Sequence, residues 1–215
     1  MTNEKVLVIP TSEFRRCGEF HGFCNNFEAY RTLLDKAEFI SRDIAETDPE
    51  YKQLVPYVVI GYVDKATGKL ISIFQYVRGK TGTEGRLHGK RSIGIGGHIH
   101  PEDTISDGDA PDYFGSIHSA MFREIREEVE FNTPKDHNVA FAVKTLGFIN
   151  DDTTAEGRVH LGVAFLATVH SPTVKSKETD LIEEGFMTLE ELMKRRDEME
   201  SWSQLVLDAL YQVEL

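Results

Sequence analysis

Between Arg123 and Glu130 the sequence reads Arg-Glu-Ile-Arg-Glu-Glu-Val-Glu, four carboxylates within eight residues. On a helix, Glu124 and Glu128 are like-charge neighbours one turn apart, a cost on the order of 0.2–0.5 kcal/mol, and the negative end of the helix dipole adds to it. Helical periodicity puts Glu124, Glu127, Glu128 and Phe131 in one sector, with Phe122, Ile125 and Val129 in a separate apolar stripe. Arg123 can reach Glu127 and Arg126 can reach Glu130, both in the weaker order for such pairs. A salt-bridged surface helix is the plain explanation, but it gives Glu124 and Glu128 no local cation. Three carboxylates turned to one side form the donor set of a hard divalent cation such as Mg2+ or Mn2+, whose shell is completed by water and substrate phosphates.

A cation bound there needs anionic substrate and a scaffold. The chain has 215 residues, 40% hydrophobic and 28% charged, enough to bury a substantial core. Its net charge of −12 argues against a nucleic acid polymer or an anionic membrane as partner. Five cations, Arg78, Lys80, Arg86, Lys90 and Arg91, stand against the single acid Glu84 in one Gly-rich stretch. That stretch reads equally as an anion site or a solvated hairpin loop. The apolar runs 57–63 and 161–169 are too short to span a bilayer, which takes about 18 residues or more. With no basic-then-apolar leader and two cysteines only, the expected location is the cytoplasm.

The elements that must carry these residues follow from pattern. Residues 5–9 read as a short strand and 27–45 as a helix ended by Thr47-Asp48-Pro49. Residues 55–63 and 70–77 form a hairpin through 64–68. Residues 92–99 make a strand interrupted by Gly94, Gly96 and Gly97, where glycine marks a bulge or a close backbone approach. Residues 98–115 read as an acidic loop and 116–129 as the carboxylate-bearing helix. Strands are expected at 141–149, 159–169 and 183–187, then a helix over 189–210 with Thr188 as its cap and Glu191 completing a capping box. Strands mixed with helices predict an α/β sandwich around a mixed sheet.

Taken together, these residues resemble the Nudix hydrolase family. Its signature runs Gly, five residues, Glu, seven residues, then Arg-Glu-aliphatic-any-Glu-Glu-any-Gly-aliphatic. Arg123 to Glu128 reproduce the helical part and Ile95-Gly96-Gly97-His98-Ile99 the strand-end double glycine; Ala120 supplies the usual small residue. The resemblance covers 56–210 and includes 183–192 and 200–203. It implies a Nudix-type α/β/α sandwich over 55–215, with 1–54 an N-terminal extension (strand plus helix) packed on it. Three departures stand out. The double glycine and Arg123 are separated by about twelve extra residues. The first signature acid is Glu102 or Asp103. Glu130 replaces the final Gly, so a positive-φ helix end would pass to Asn132.

The family resemblance implies cleavage of a nucleoside diphosphate linked to another group, with Mg2+ or Mn2+ and water attack at phosphorus. It makes Glu124, Glu127 and Glu128 the metal ligands, with the Gly96 carbonyl, and Gly97 part of the substrate cradle. Arg123 is expected to orient Glu127. Glu124, Glu183 and Glu184 are the general-base candidates. Arg78, Arg86 and Arg91 are candidates for distal phosphates, and Tyr76 or Phe74 for stacking on a base, although strand aromatics are commonly core. A homodimer would be in keeping with the family. The competing function is a Nudix-like nucleotide-binding or sensing module without turnover. Cys17, His21 and Cys24 lack a fourth zinc ligand. His98 and His100 share one side of a strand beside the proposed site, and the carboxylates of the 103–112 loop suit either a second cation or plain solvation.

Overall fold

The computed structural model describes residues 4–79, 88–108, 110–131, 142–177 and 181–214. The chain forms two compact units, one of residues 1–57, 96–124 and 145–164, the other of 58–95, 125–144 and 165–215. Each mixes strands with helices, the α/β class that the sequence implies.

In the first unit the strand Lys5–Pro10 lies between two antiparallel neighbours, Val8 facing Glu38 on one side and Gln53 on the other. Val6, Leu7, Val8 and Ile9 are at most 1% exposed, as a continuous apolar run requires when both faces are covered. The strand Gly22–Cys24 pairs with the end of Ala142–Asn150. The helix expected over 27–45 is not formed as one element. A short helix, Phe27–Arg31, is capped by Asn26, and a 3-10 turn follows at Leu34–Lys36. Glu38–Ser41 is a strand on Lys5–Pro10, and only Arg42–Ala45 is helical again. Phe27 and Tyr30 pack into an aromatic group, Phe27 stacked on Phe148 at 5.3 Å. Phe39 and Ile40, favourable strand residues, follow the backbone pairing instead.

In the second unit, residues 61–63 of the strand Tyr51–Val63 turn through Asp64, whose Oδ1 accepts from Ala66 and Thr67 N–H, into the strand Leu70–Arg78. That strand pairs with Arg91–Ser92 and with Leu181–Met187. The capping box Thr188/Glu191 forms as expected. The expected 189–210 helix, however, is split into Leu189–Met193, a 3-10 turn at Arg196–Glu198 and Ser201–Glu214. Met199, 1% exposed, is extended (φ −86°, ψ 158°), and Glu200 N–H donates to Arg91 O at 3.1 Å. Burying Met199 and satisfying the Arg91 carbonyl outweigh helix continuity.

The helix Tyr113–Glu128 begins in the first unit and ends in the second. The 98–115 segment is more ordered than a loop: a 3-10 turn at Pro101–Asp103, then a hairpin of Ile105–Asp107 and Ala110–Asp112. Asp112 starts the helix by accepting from Gly115 N–H at 2.9 Å. Ile117, Ala120, Met121 and Ile125 form its buried stripe. After Glu128 the chain becomes the strand Val129–Phe131, paired with Val174–Ser176. Glu130 is therefore a strand residue, and no described non-glycine residue has positive φ; Asn132 lies outside the described residues. Among the described residues no helix is long and apolar enough to cross a membrane.

Candidate active site

The two glycines are required for different reasons. A Cβ on Gly96 would lie 2.0 Å from the Pro56 carbonyl oxygen, so a neighbouring backbone excludes any side chain there. A Cβ on Gly97 would lie 2.3 Å from Glu124 Oε1 and 2.6 Å from its carboxyl carbon. The space that a side chain at 97 would take is filled by the Glu124 carboxylate. Glu124 is accordingly 7% exposed, which corrects the expectation that the acidic face stands clear of the core.

Burying a carboxylate is costly unless it is paired and hydrogen-bonded. Arg123 supplies that pairing: its Nη1 donates to Glu124 Oε1 at 2.7 Å. The same guanidinium forks onto Asp103, Nε to Oδ1 at 3.0 Å and Nη2 to Oδ2 at 2.9 Å, and Nη2 also donates to the His98 carbonyl at 2.9 Å. Asp103 is 4% exposed and closes its own turn by accepting from His100 N–H. Of the two candidates for the signature acid, Asp103 is the one that Arg123 grips; Glu102 is exposed. Burial pushes the Asp103 carboxyl up, but the Arg123 hydrogen bonds, the His100 N–H and the adjacent cations hold it below the usual range. The Asp103 hydrogen bonds raise Arg123 further above its already high value. One guanidinium thus serves two largely buried carboxylates.

Glu127 and Glu128 stand on the next turn, Glu127 exposed and Glu128 partly buried. The helix end is closed by Lys177, whose N–H donates to Glu128 O at 2.7 Å and whose ammonium donates to Arg126 O. A cation on the last carbonyls offsets the dipole that the carboxylates oppose. Carboxylate oxygens and a glycine carbonyl are the donor chemistry of Mg2+ or Mn2+, and the Glu124 carboxylate lying where Gly97 has no side chain fits that group.

Other expected site residues are placed differently. Arg91 is 2% exposed, its guanidinium donating to Glu183 at 3.1 and 3.2 Å, to Glu198 at 3.4 Å and to Gln75. It is a buried anchor of the second unit, which corrects its assignment to distal phosphates. Tyr76 is 5% exposed with its hydroxyl on the Gly94 carbonyl, and Phe74 is 1% exposed, so neither ring offers a face for stacking. Arg78, half-buried, lies over the Tyr76 ring at 5.3 Å and donates to its hydroxyl. Arg86 lies outside the described residues, as does Lys80. The Arg91 hydrogen bonds, ahead of opposing burial, hold the Glu183 carboxyl below its ordinary value. Glu184 is exposed and accepts from Ser176 N–H at 2.7 Å.

Long-range contacts supply one group that the pattern did not signal. Glu46, His98 and His160, far apart in sequence, bring one ligand-type atom each to within 4.8 Å of the others. Burial, joined by the charges of Arg42 and His160, pushes the His98 imidazole down to about 4. His100 faces Glu4, 3.2 Å away. Cys17 and Cys24 are free thiols and, with His21, form no such group among the described residues.

A double glycine closed by a buried glutamate, with the arginine beside it pinned to an acid in the intervening loop, is what the fold builds from the residues that resemble the Nudix signature. The chain is 34% identical to Tm1382, a structure described as that of a candidate Nudix hydrolase, over 98% of this chain and 99% of that one, at a TM-score of 0.72. It is 32% identical to protein YmaB of Bacillus subtilis (strain 168) over 97% of this chain and 98% of that protein. A Nudix hydrolase from Alicyclobacillus acidocaldarius shares the fold at 15% identity and a TM-score of 0.50, over 74% of this chain and 90% of that one. No family model matches the sequence. The chain belongs to the Nudix hydrolase family. Both of the more similar relatives match along nearly their whole length, so most of residues 1–54 is shared with them.

Proposed function

We propose that this chain is a divalent-metal-dependent pyrophosphohydrolase that cleaves a small nucleoside diphosphate-linked substrate by water attack at phosphorus. The observation that carries the reading is the buried Glu124 carboxylate laid against Gly97 and held by Arg123. Glu124, Glu127, Glu128 and the Gly96 carbonyl would hold Mg2+ or Mn2+. Such an ion, when bound, neutralises phosphate oxygens and lowers the pKa of a coordinated water.

The chain's own part is positional and acid–base. Arg123 fixes the Glu124 carboxylate by a charge-assisted bond, and Asp103 fixes Arg123. Of the base candidates, Glu183 loses basicity to Arg91 and Glu184 is engaged by the Ser176 N–H. Glu124, itself bonded to Arg123, remains with Glu183 and Glu184 a candidate to take the water's proton, a role worth on the order of 10²–10⁴ in rate. Arg78 and Arg86 are the remaining candidates for substrate phosphates. A cytoplasmic location, a small-molecule rather than polymeric partner and a homodimer complete the proposal.

The test is chromatographic detection of the phosphomonoester or nucleotide products formed from nucleoside triphosphates, nucleotide sugars, dinucleoside polyphosphates and coenzymes with Mg2+ or Mn2+, comparing the wild type with Glu127→Gln and Glu128→Gln. Turnover surviving in both variants refutes the site, and nucleotide binding without any turnover would establish the sensing module instead.

A further inference from the structure

We propose that Glu46, His98 and His160 form a second cation site, separate in chemistry from the carboxylate helix and suited to a Zn2+-class transition metal. Three observations point there.

The first is spacing. Glu46 Oε1 and His98 Nε2 are 3.7 Å apart, too far for a hydrogen bond. Two ligands of one tetrahedral zinc, each roughly 2.0–2.2 Å from it, stand about 3.4 Å from each other. The observed separation suits a shared ion better than direct contact.

The second is the orientation of the imidazoles. His160 Nδ1 is 2.7 Å from the Glu156 carbonyl oxygen. A carbonyl only accepts, so Nδ1 carries the hydrogen and Nε2 of the neutral ring carries the lone pair. A ring nitrogen donating to a backbone carbonyl is the arrangement that fixes the tautomer of a metal-binding histidine. His98 is placed at ring-centroid distance 5.7 Å from His160, and its Nε2 is buried without a hydrogen-bond partner. An orphaned buried nitrogen calls for an explanation, and an ion that the structure does not contain supplies one.

The third is the support of the carboxylate. Arg42 Nε donates to Glu46 Oε1 at 3.1 Å while its Nη1 donates to Glu4 at 2.9 Å. Arg42 is thus shared between two acids and orients Glu46 as an outer partner does. Two imidazoles and one carboxylate select zinc-like metals, whereas all-oxygen sets select Mg2+ and Mn2+. Three protein ligands leave one coordination position open. An ion here would brace the residue that follows Gly97 and whose carbonyl Arg123 holds.

The experiment is calorimetric titration of Zn2+ into chelator-stripped, dialysed protein in excess Mg2+, with Glu46→Gln, His160→Gln and Glu127→Gln in parallel. Wild type and Glu127→Gln are expected to take one equivalent of Zn2+. Glu46→Gln and His160→Gln should lose affinity by at least about 100-fold, since even outer-partner changes cost 10–100-fold. Equal affinity in His160→Gln, loss in Glu127→Gln alone, or no Zn2+ binding by the wild type overturns the proposal. If the histidine variant fails to fold, X-ray absorption of the zinc-loaded wild type decides: two imidazoles in the shell support the site, and none overturns it. Mg2+-dependent hydrolysis is scored separately in Glu46→Gln, so failure of the zinc site and failure of the hydrolase reading are distinguishable.

Discussion

Replacing Gly97 by Ala is the smallest change that should disable the site. The added methyl would stand 2.3 Å from Glu124 Oε1, so the carboxylate must retreat by about 1 Å to reach ordinary van der Waals contact. The same shift stretches the 2.7 Å bond from Arg123 beyond hydrogen-bonding range. Losing a charge-assisted hydrogen bond costs about 1.5–3 kcal/mol, offset by about 0.4–1 kcal/mol because alanine restricts the unfolded chain. The net loss of about 1–2 kcal/mol corresponds to roughly 2–8 °C in Tm for a chain of this size. A 1 Å displacement of a positioned group lowers kcat/KM by about 10²-fold. Both readouts are needed, a thermal melt and nucleotide product formation on the best substrate. The double variant Gly97→Ala with Glu124→Asp adds a further check, because the shorter side chain withdraws from the methyl. Its melting loss should be smaller than the sum of the single changes. A Gly97→Ala protein with unchanged Tm and activity within a few-fold of wild type would refute the claim that Gly97 exists to seat Glu124.

Other consequences are open to measurement. Asp103 has a folded-state pKa below its unfolded value, so the stability it contributes is present above the unfolded carboxylate pKa of about 3.9 and is lost as pH falls through the folded value. Asp103→Asn should therefore lower Tm at neutral pH and flatten its acid limb, as a series of melts would show. Arg91→Met should cost about 2 kcal/mol in denaturant unfolding, less than a fully buried pair because Glu183 and Glu198 reach water, and should leave KM nearly unchanged; a large rise in KM would restore Arg91 as a phosphate ligand. Removal of divalent ions by a chelator should abolish turnover, and Mg2+ or Mn2+ should restore it.

The parts of the site that were readable in the sequence are those fixed by local spacing. The carboxylates sit at helical intervals, the double glycine ends a strand, and Thr188 with Glu191 forms a capping box because each interaction spans only a few residues. Where partners are distant, pattern failed for a physical reason. Glu102 and Asp103 are indistinguishable by counting, and only the fold shows which one turns inward to Arg123. Arg91 was one cation among five in a stretch that read equally as an anion site or a solvated loop, yet Glu183, Glu198 and Gln75, distant in sequence, surround it. Ile40 fitted a helical period, but pairing with Val6 decided its conformation. The carboxylate of Glu124 was expected on an open face because its burial depends on a glycine 27 positions earlier.

The grip of Arg123 on Asp103 bears on how such a protein can diversify. The hairpin of residues 105–112 springs from a root nailed down at Asp103 on one side and at Asp112 and Ser116 on the other, while a Cβ added at Gly108 near its tip would meet no atom within 4 Å among the described residues. Insertions, deletions and recombination at that tip need not disturb the carboxylate beside Gly97. Lineages can therefore lengthen, shorten or recolour the hairpin while inheriting the same reaction chemistry.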